Sequence, residues 1–262
     1  MNPGLRTSAS GMKAQQLMVD TIANNLANVN TTGFKRSRAS FEDVLYETLQ
    51  GPRTVGSQDS QTVAPIQIGK GVRLAAVLRL HSQGAPEQTG RPLDIAIEGD
   101  GFFQVEKPDG TIAYTRDGSF TISDTGAMVT TGGYRVLPAV QFPQDATDIS
   151  ISPGGIVSVT AGATGKPVER GRIELARFVN PSGLMSQGEN LYTETAASGE
   201  PLTGFGQEQG FGRLLQGNLE SSNVEIVTEM TDMIAAQRAY EINAKAIRAG
   251  EDMMQTTNDL IR

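Results

Sequence analysis

Two narrow apolar stripes, one toward each end of the chain, constrain the fold more than any other feature. The first runs through Leu5, Met12, Val19, Ile22, Leu26 and Val29, with Ala9 and Gln15 or Gln16 in the remaining places. Its steps predict a helix with a thin buried seam. Gly33, behind Thr31 and Thr32, suits a left-handed stop, so this helix is expected to end near Asn30. In the second stripe Ser222 and Glu225 have the spacing of a capping box, followed by Val227, Met230, Ile234, Gln237, Tyr240, Ala244, Ile247, Met254 and Ile261. Glu251 and Asn258 fall on the same spacing, which weakens it as an apolar seam. Roughly a dozen seam side chains cannot offset the ordering of both segments, so each helix needs partners beyond the other.

The first stripe ends in "ANNLANVN", four amides in eight residues with no charge. Asparagine is a mediocre helix former because its side chain competes for backbone hydrogen bonds. Packed between helices, Asn24, Asn25 and Asn28 would donate and accept across an interface at lower desolvation cost than charges, and would set register. Facing water, they would do nothing of the kind. Spacing alone does not separate the two readings.

Between the stripes the period changes to two. "GFFQVEKPDGTIAYTRDGSFTISDTGAMVTTGGYRV" reads as strands broken by Pro-Asp-Gly, Asp-Gly and Thr-Gly turns, and "ISISPGGIVSVTAGATGKPV" and "GRIELARFV" continue the pattern. This predicts an antiparallel domain built from hairpins. Residues 46–71 and 181–217, rich in Gly, Ser, Gln and Thr, read as extended loops or arms. The expected class is α+β, with two long terminal helices pairing as a coiled-coil stalk around a hairpin-rich β domain and an arm. The expected divisions are 1–33 with 222–262 for the discontinuous helical domain, 34–73 for the arm or linker and 74–221 for the β domain.

Composition excludes several functions. A net charge of -7 argues against a phosphate-binding surface, so no nucleic-acid partner is expected. The absence of cysteine removes disulfides and thiolate metal sites. No apolar run reaches the 18 residues of a membrane span, and residues 1–20 lack the apolar block of a secretory signal. His81 is the only histidine, at the end of an expected strand, and reads as structural or exposed. Glu42 and Asp43 are adjacent and would diverge by about 100 degrees on a helix, so they read as a solvated face. "GFGQEQGFG" lacks dinucleotide-loop spacing, the Asp-Gly pairs lack alternating calcium ligands, and "KRSR" at Lys35 to Arg38 reads as a small solvated or interfacial patch. No catalytic residue, metal site or cofactor is expected.

"QQLMVDTIANNLANVNTTGFKR", "EGDGFFQV", "YTRDGSF" and "GNLESSNVEIVTEMTDMIAAQRAYEINAKAI" together resemble the bacterial flagellar rod and hook proteins over nearly the whole chain. "SFEDVLYETL", "RLHSQG" and "GENLYTET" resemble the distal-rod class most closely. The resemblance implies a structural, non-enzymatic subunit that assembles helically into a hollow drive shaft enclosing the export channel. It implies delivery by the flagellar type III export apparatus without a cleaved signal peptide, and a place in the basal body where the rod crosses the periplasm. The implied partners are copies of the chain, proximal-rod subunits, hook or hook-adjacent subunits and the surrounding periplasmic and outer-membrane ring proteins, with no membrane insertion. The alternatives are a proximal-rod or hook subunit and, outside the family, a secreted oligomeric β adhesin, which the lack of tryptophan for a sugar-stacking platform disfavours.

Overall fold

A computed structural model describes residues 3–51, 53–55, 61–63, 65–143, 146–161, 166–208 and 210–260. The chain forms two compact units, one of Met1–Leu26, Ser37–Leu78 and Glu225–Arg262, the other of Ala27–Arg36 and Arg79–Val224. The α+β expectation is met. Helix α1 spans Pro3–Ala27 and helix α2 spans Ile226–Leu260.

Pro3 opens α1, where its missing N–H costs nothing. The helix stops at Ala27, a turn short of Asn30, because Asn28 takes over the next donors: its carbonyl accepts Thr31 N–H at 3.2 Å and its side chain accepts the Thr31 hydroxyl at 3.1 Å. Gly33 follows at φ +67°, and a Cβ there would lie 2.7 Å from Asp117 N. The capping-box expectation is displaced. Ser222 accepts Val224 N–H at 3.3 Å, and Glu225 instead starts α2, its carbonyl taking Glu229 N–H at 3.0 Å and its carboxylate the Thr228 hydroxyl at 3.0 Å. The cause is Asn223, which accepts Arg36 N–H at 2.7 Å and donates to the Leu80 carbonyl at 2.9 Å, holding the approach to α2 extended.

Opposed positions on the helices are Leu5 with Gly250, Gly11 with Asn243 and Asn25 with Glu229, so α1 and α2 run antiparallel. The same unit holds a ribbon of paired antiparallel strands. Ser37–Asp43 pairs with Val72–Arg79, Tyr46–Gln50 with Ile66–Gly69, and Arg53–Val55 with Gln61–Val63. A loop-like composition therefore folds as a ribbon: Ile66 and Ile68 give a return strand β-branched side chains. Ser10 fastens it to α1 by accepting Val72 N–H at 3.2 Å.

The second unit holds a nine-stranded antiparallel sheet. Its central strand, Phe102–Glu106, pairs with Ile112–Thr115, Arg135–Leu137 and Glu174–Arg177. Alternation along that strand sends Phe103 and Val105 into the main core with Phe120, Met128, Ile173 and Leu175, while Phe102 joins Tyr114, Phe178 and Tyr192 in a second cluster. Part of the expected loop 181–217 is also strand: Met185–Gly188 and Leu191–Thr193 form a hairpin whose turn places Glu189 and Asn190 at φ 52° and 58°. Glu189 is held there by the Tyr134 hydroxyl at 2.8 Å.

Phe103→Ala should destabilise the β unit by about 3–5 kcal/mol through the cavity left beside Phe120. Val168→Ala, at an exposed position, should cost under about 0.5 kcal/mol. Urea unfolding of both variants followed by tyrosine fluorescence checks this, and equal costs would contradict the assigned core.

Candidate assembly surface

The asparagine run divides by position. Asn25, 1 % exposed, donates to the Ser37 carbonyl at 2.8 Å and to Glu229 Oε2 at 3.1 Å, and its Oδ1 accepts Ser37 N–H at 2.8 Å. One amide thus joins α1, the first ribbon strand and α2. Its desolvation is offset because both ends of the amide are bonded. Asn24 is exposed and Asn28 half-buried.

The two helices meet on a face that apolar spacing did not mark. Glu229, Ala236 and Gly250 are buried on α2, and with Asn243 they recur every seven residues. The approach is close: a Cβ on Gly250 would lie 2.7 Å from Leu5 Cδ2, and one on Gly11 would lie 3.0 Å from Asn243 Nδ2. A search for large apolar side chains passes over this face because small and polar residues build it. The signal in the sequence is a heptad spacing of small or polar residues, Glu229, Ala236, Asn243 and Gly250.

The α2 stripe lies largely on another face. Val227, 74 % exposed, Met230, Ile234, Gln237, Tyr240 and Met254 are exposed, whereas Ala244 and Ile247 are half-buried and Ile261 lies outside the described residues. On α1, Ile22 is buried and Leu5, Met12, Val19, Leu26 and Val29 are half-buried. Val19, Gln237 and Tyr240 come together with Gln16 and Glu241 around a groove of about 420 Å³. Sequence reasoning missed Ile242, Met253 and Leu260, also exposed on α2, and the apolar ribbon residues Leu45, Leu49, Ile66, Ile68 and Val77. Exposed apolar side chains recurring at helical spacing along one helix, as Val227, Met230 and Ile234 do, mark a binding face.

The β unit has a buried charge cluster. The Lys35 ammonium pairs with Glu220 and donates to the Ser82 carbonyl at 2.8 Å. Glu220 also accepts Gly84 N–H at 2.9 Å and Arg116 Nη1 at 3.4 Å, and Arg116 Nη2 reaches the Gly99 carbonyl at 2.7 Å. The basic cluster at residues 35–38 is therefore no single patch, since Lys35 is fully buried. Burial lowers the pKa of Lys35 and of Arg116, with Glu220 opposing in each case. His81 packs edge-on against Phe102 and Tyr192, at 5.6 and 5.4 Å between ring centres. Burial first, then the positive Lys35, Arg116 and Arg79, pushes its pKa down to about 4. Among the described residues no group of three or more His, Asp or Glu side chains could hold a metal, and no helix is long and apolar enough to cross a membrane.

Three family models match the chain: the flagellar hook protein FlgE/F/G D1 domain over residues 96–159, the flagellar basal body rod FlgEFG protein C-terminal region over 215–260, and the flagella basal body rod protein over 5–35. The chain is 50 % identical over 264 residues to the flagellar basal-body rod protein FlgG of Borreliella burgdorferi, across 100 % of both chains. It is 48 % identical to that of Caulobacter vibrioides over 98 % of each chain, and 41 % identical to that of Bacillus subtilis, again over 98 % of each.

Asn25→Ala should cost about 1–3 kcal/mol, since it removes both Ser37 bonds and the Glu229 contact. Asn25→Asp, the same size, should cost at least as much at pH 7 by setting a second carboxylate beside Glu229, and should recover on acidification. Urea unfolding followed at 222 nm checks both. His81 has a second consequence: its native pKa lies below the unfolded value of 6.5, so its contribution to stability is complete above pH 6.5 and is lost as pH falls toward about 4. Unfolding curves between pH 7.5 and 4 for the protein and for His81→Gln should differ in slope over that window; parallel curves would contradict the burial assigned to the ring.

Proposed function

The chain belongs to the flagellar basal-body rod protein family, and on that premise we propose that its copies polymerise through the exposed face of α2 and the apolar ribbon to build the distal part of the rod. The protein is a structural subunit of the rod and not an enzyme. The observation that carries the proposal is the division of labour on α2. Its small-residue face is used inside the subunit, while Val227, Met230, Ile234 and Tyr240 remain uncovered. An isolated subunit gains nothing from presenting them to water.

Side-by-side subunits would cover this stripe and place the helical pairs around a lumen, as a hollow export conduit requires. The ribbon supports the same reading. Two strands with both faces open are marginal alone, and an extended two-stranded element gains stability by lying on a neighbour. Contacts along the shaft would then resist twisting and pass torque outward. On this reading the subunit sits where the rod crosses the periplasm, reaches it through the flagellar export apparatus, and meets proximal-rod subunits below, hook-adjacent subunits above and ring proteins around it. On α1, Leu26 lies next to the Asn25 clamp and is only half-buried, so it is the position there that a neighbouring copy can reach.

Ile234→Glu should leave the circular dichroism and unfolding of the purified subunit unchanged while abolishing polymerisation measured by light scattering, because a carboxylate on the stripe cannot be desolvated against a neighbour. Basal bodies from a strain carrying that variant in place of the native gene should show by electron microscopy a short rod stub. A complete rod lacking only the hook would move the subunit to the hook, and intact flagella would refute the interface.

A further inference from the structure

The chain has nine methionines and neither cysteine nor tryptophan, so its thioethers are the natural targets of a two-electron oxidant. Only Met128 and Met185 belong to the β unit; the others fall in the helical unit. Their exposure is divided. Met128 is fully buried, Met12, Met18 and Met233 are half-buried, and on α2 Met230, Met253 and Met254 are 51, 64 and 44 % exposed. Met230 stands on the uncovered stripe between Val227 and Ile234. Met253 and Met254 lie past Gly250, where α2 meets Leu5, and every residue from Glu251 to Leu260 is exposed.

We propose that Met230, Met253 and Met254 form a reversible oxidation site whose state decides whether a subunit joins the polymer, the second part of which rests on the polymer reading above. The oxidant is a peroxide. A sulfur lone pair attacks one peroxide oxygen, the O–O bond breaks, and the sulfur-bound hydroxyl gives its proton to the departing hydroxide, which leaves as water. Sulfur loses two electrons and the peroxide gains them. The product keeps the reach of the side chain but carries a polar, chiral S=O group where an apolar sulfur stood. On the stripe its neighbours Val227 and Ile234 have no donor to offer that oxygen. Pressed against another copy the oxygen is desolvated without a partner, whereas in the free subunit it stays in water. Oxidation therefore spares the fold and acts on association. Met128 takes no part, because no oxidant reaches it in the folded subunit.

Dilute full-length subunit is treated with hydrogen peroxide, quenched and digested, and the added oxygen is located by mass spectrometry. Met230, Met253 and Met254 should oxidise before Met128, with the circular dichroism unchanged. The protein concentration needed for polymerisation, read by light scattering, should rise on the order of tenfold or more. Treatment with methionine sulfoxide reductases should restore it. A triple variant, Met230→Leu, Met253→Leu and Met254→Leu, keeps the apolar volume and should polymerise equally with and without peroxide. Met185→Leu, in the β unit, should stay sensitive. Unimpaired polymerisation of a subunit oxidised at all three positions, continued sensitivity of the triple variant, or oxidation of Met128 as early as of Met253 would overturn the proposal. The oxidation map is taken on dilute subunit and is independent of polymerisation. Untreated subunit that polymerises under no condition would refute the polymer reading and the control of assembly with it, while the map would stand or fall by itself.

Discussion

The distance at which α1 and α2 can approach each other decides what the rest of the helical unit is able to do. Where Gly11 faces Asn243 and Gly250 faces Leu5, there is no room for another side-chain atom on either glycine without displacing a neighbour. A pair packed this closely gains dispersion along its length but little apolar area, since the residues at the contact are small. Val227, Met230 and Ile234 of α2 are consequently left outside the contact, and Tyr240 only borders it at the groove with Val19. The internal contact and the free stripe are two results of one choice of residues.

Such a thin contact must be kept in register by something other than hydrophobic fit, which is tolerant of sliding. Asn25 supplies it. Its amide reads the backbone of Ser37 in both directions, as a neighbouring strand would, and touches Glu229 as well. A slide by one residue along either helix would leave buried polar atoms unbonded, a larger penalty than any loss of dispersion. Glu220 plays the corresponding part in the β unit, where one carboxylate holds Lys35, Gly84 and Arg116. In both units a single polar side chain specifies the arrangement that apolar burial stabilises.

This explains what could be read before the structure. Both helices, the hairpins around Pro108-Asp109-Gly110 and the α+β class follow from period and turn chemistry, which are local properties. The buried face of α2 did not follow, because Glu229, Ala236 and Gly250 carry no apolar signature and acquire their role only when α1 lies opposite. Lys35 reads as a surface charge for the same reason: it sits next to Arg36 and Arg38, and only Glu220, 185 positions away, makes its burial tolerable. The ribbon reads as a loop from sequence because its strands Tyr46–Gln50 and Ile66–Gly69 are exposed on both faces, so no burial alternation marks them and only the pairing between them shows the strands. The α2 stripe was legible as a set of positions, whereas its exposure was not, because period alone does not say which of two faces the subunit keeps for itself.

The ribbon and the stripe belong to one unit and share a physical problem. Leu45, at 84 % exposed, and Val227 are as open to water as side chains in an unfolded chain, so folding the subunit recovers almost none of their transfer free energy. That free energy remains available to association. Were these residues polar, the subunit would fold as well and polymerise poorly. Were the small-residue face of α2 apolar and bulky, the helices would stand further apart, and the amide of Asn25 would no longer span from Ser37 to Glu229. A subunit that folds alone yet stores apolar area for its neighbours therefore requires both features together: a pairing face too small to consume the large residues, and a polar clamp strong enough to hold the pair without them.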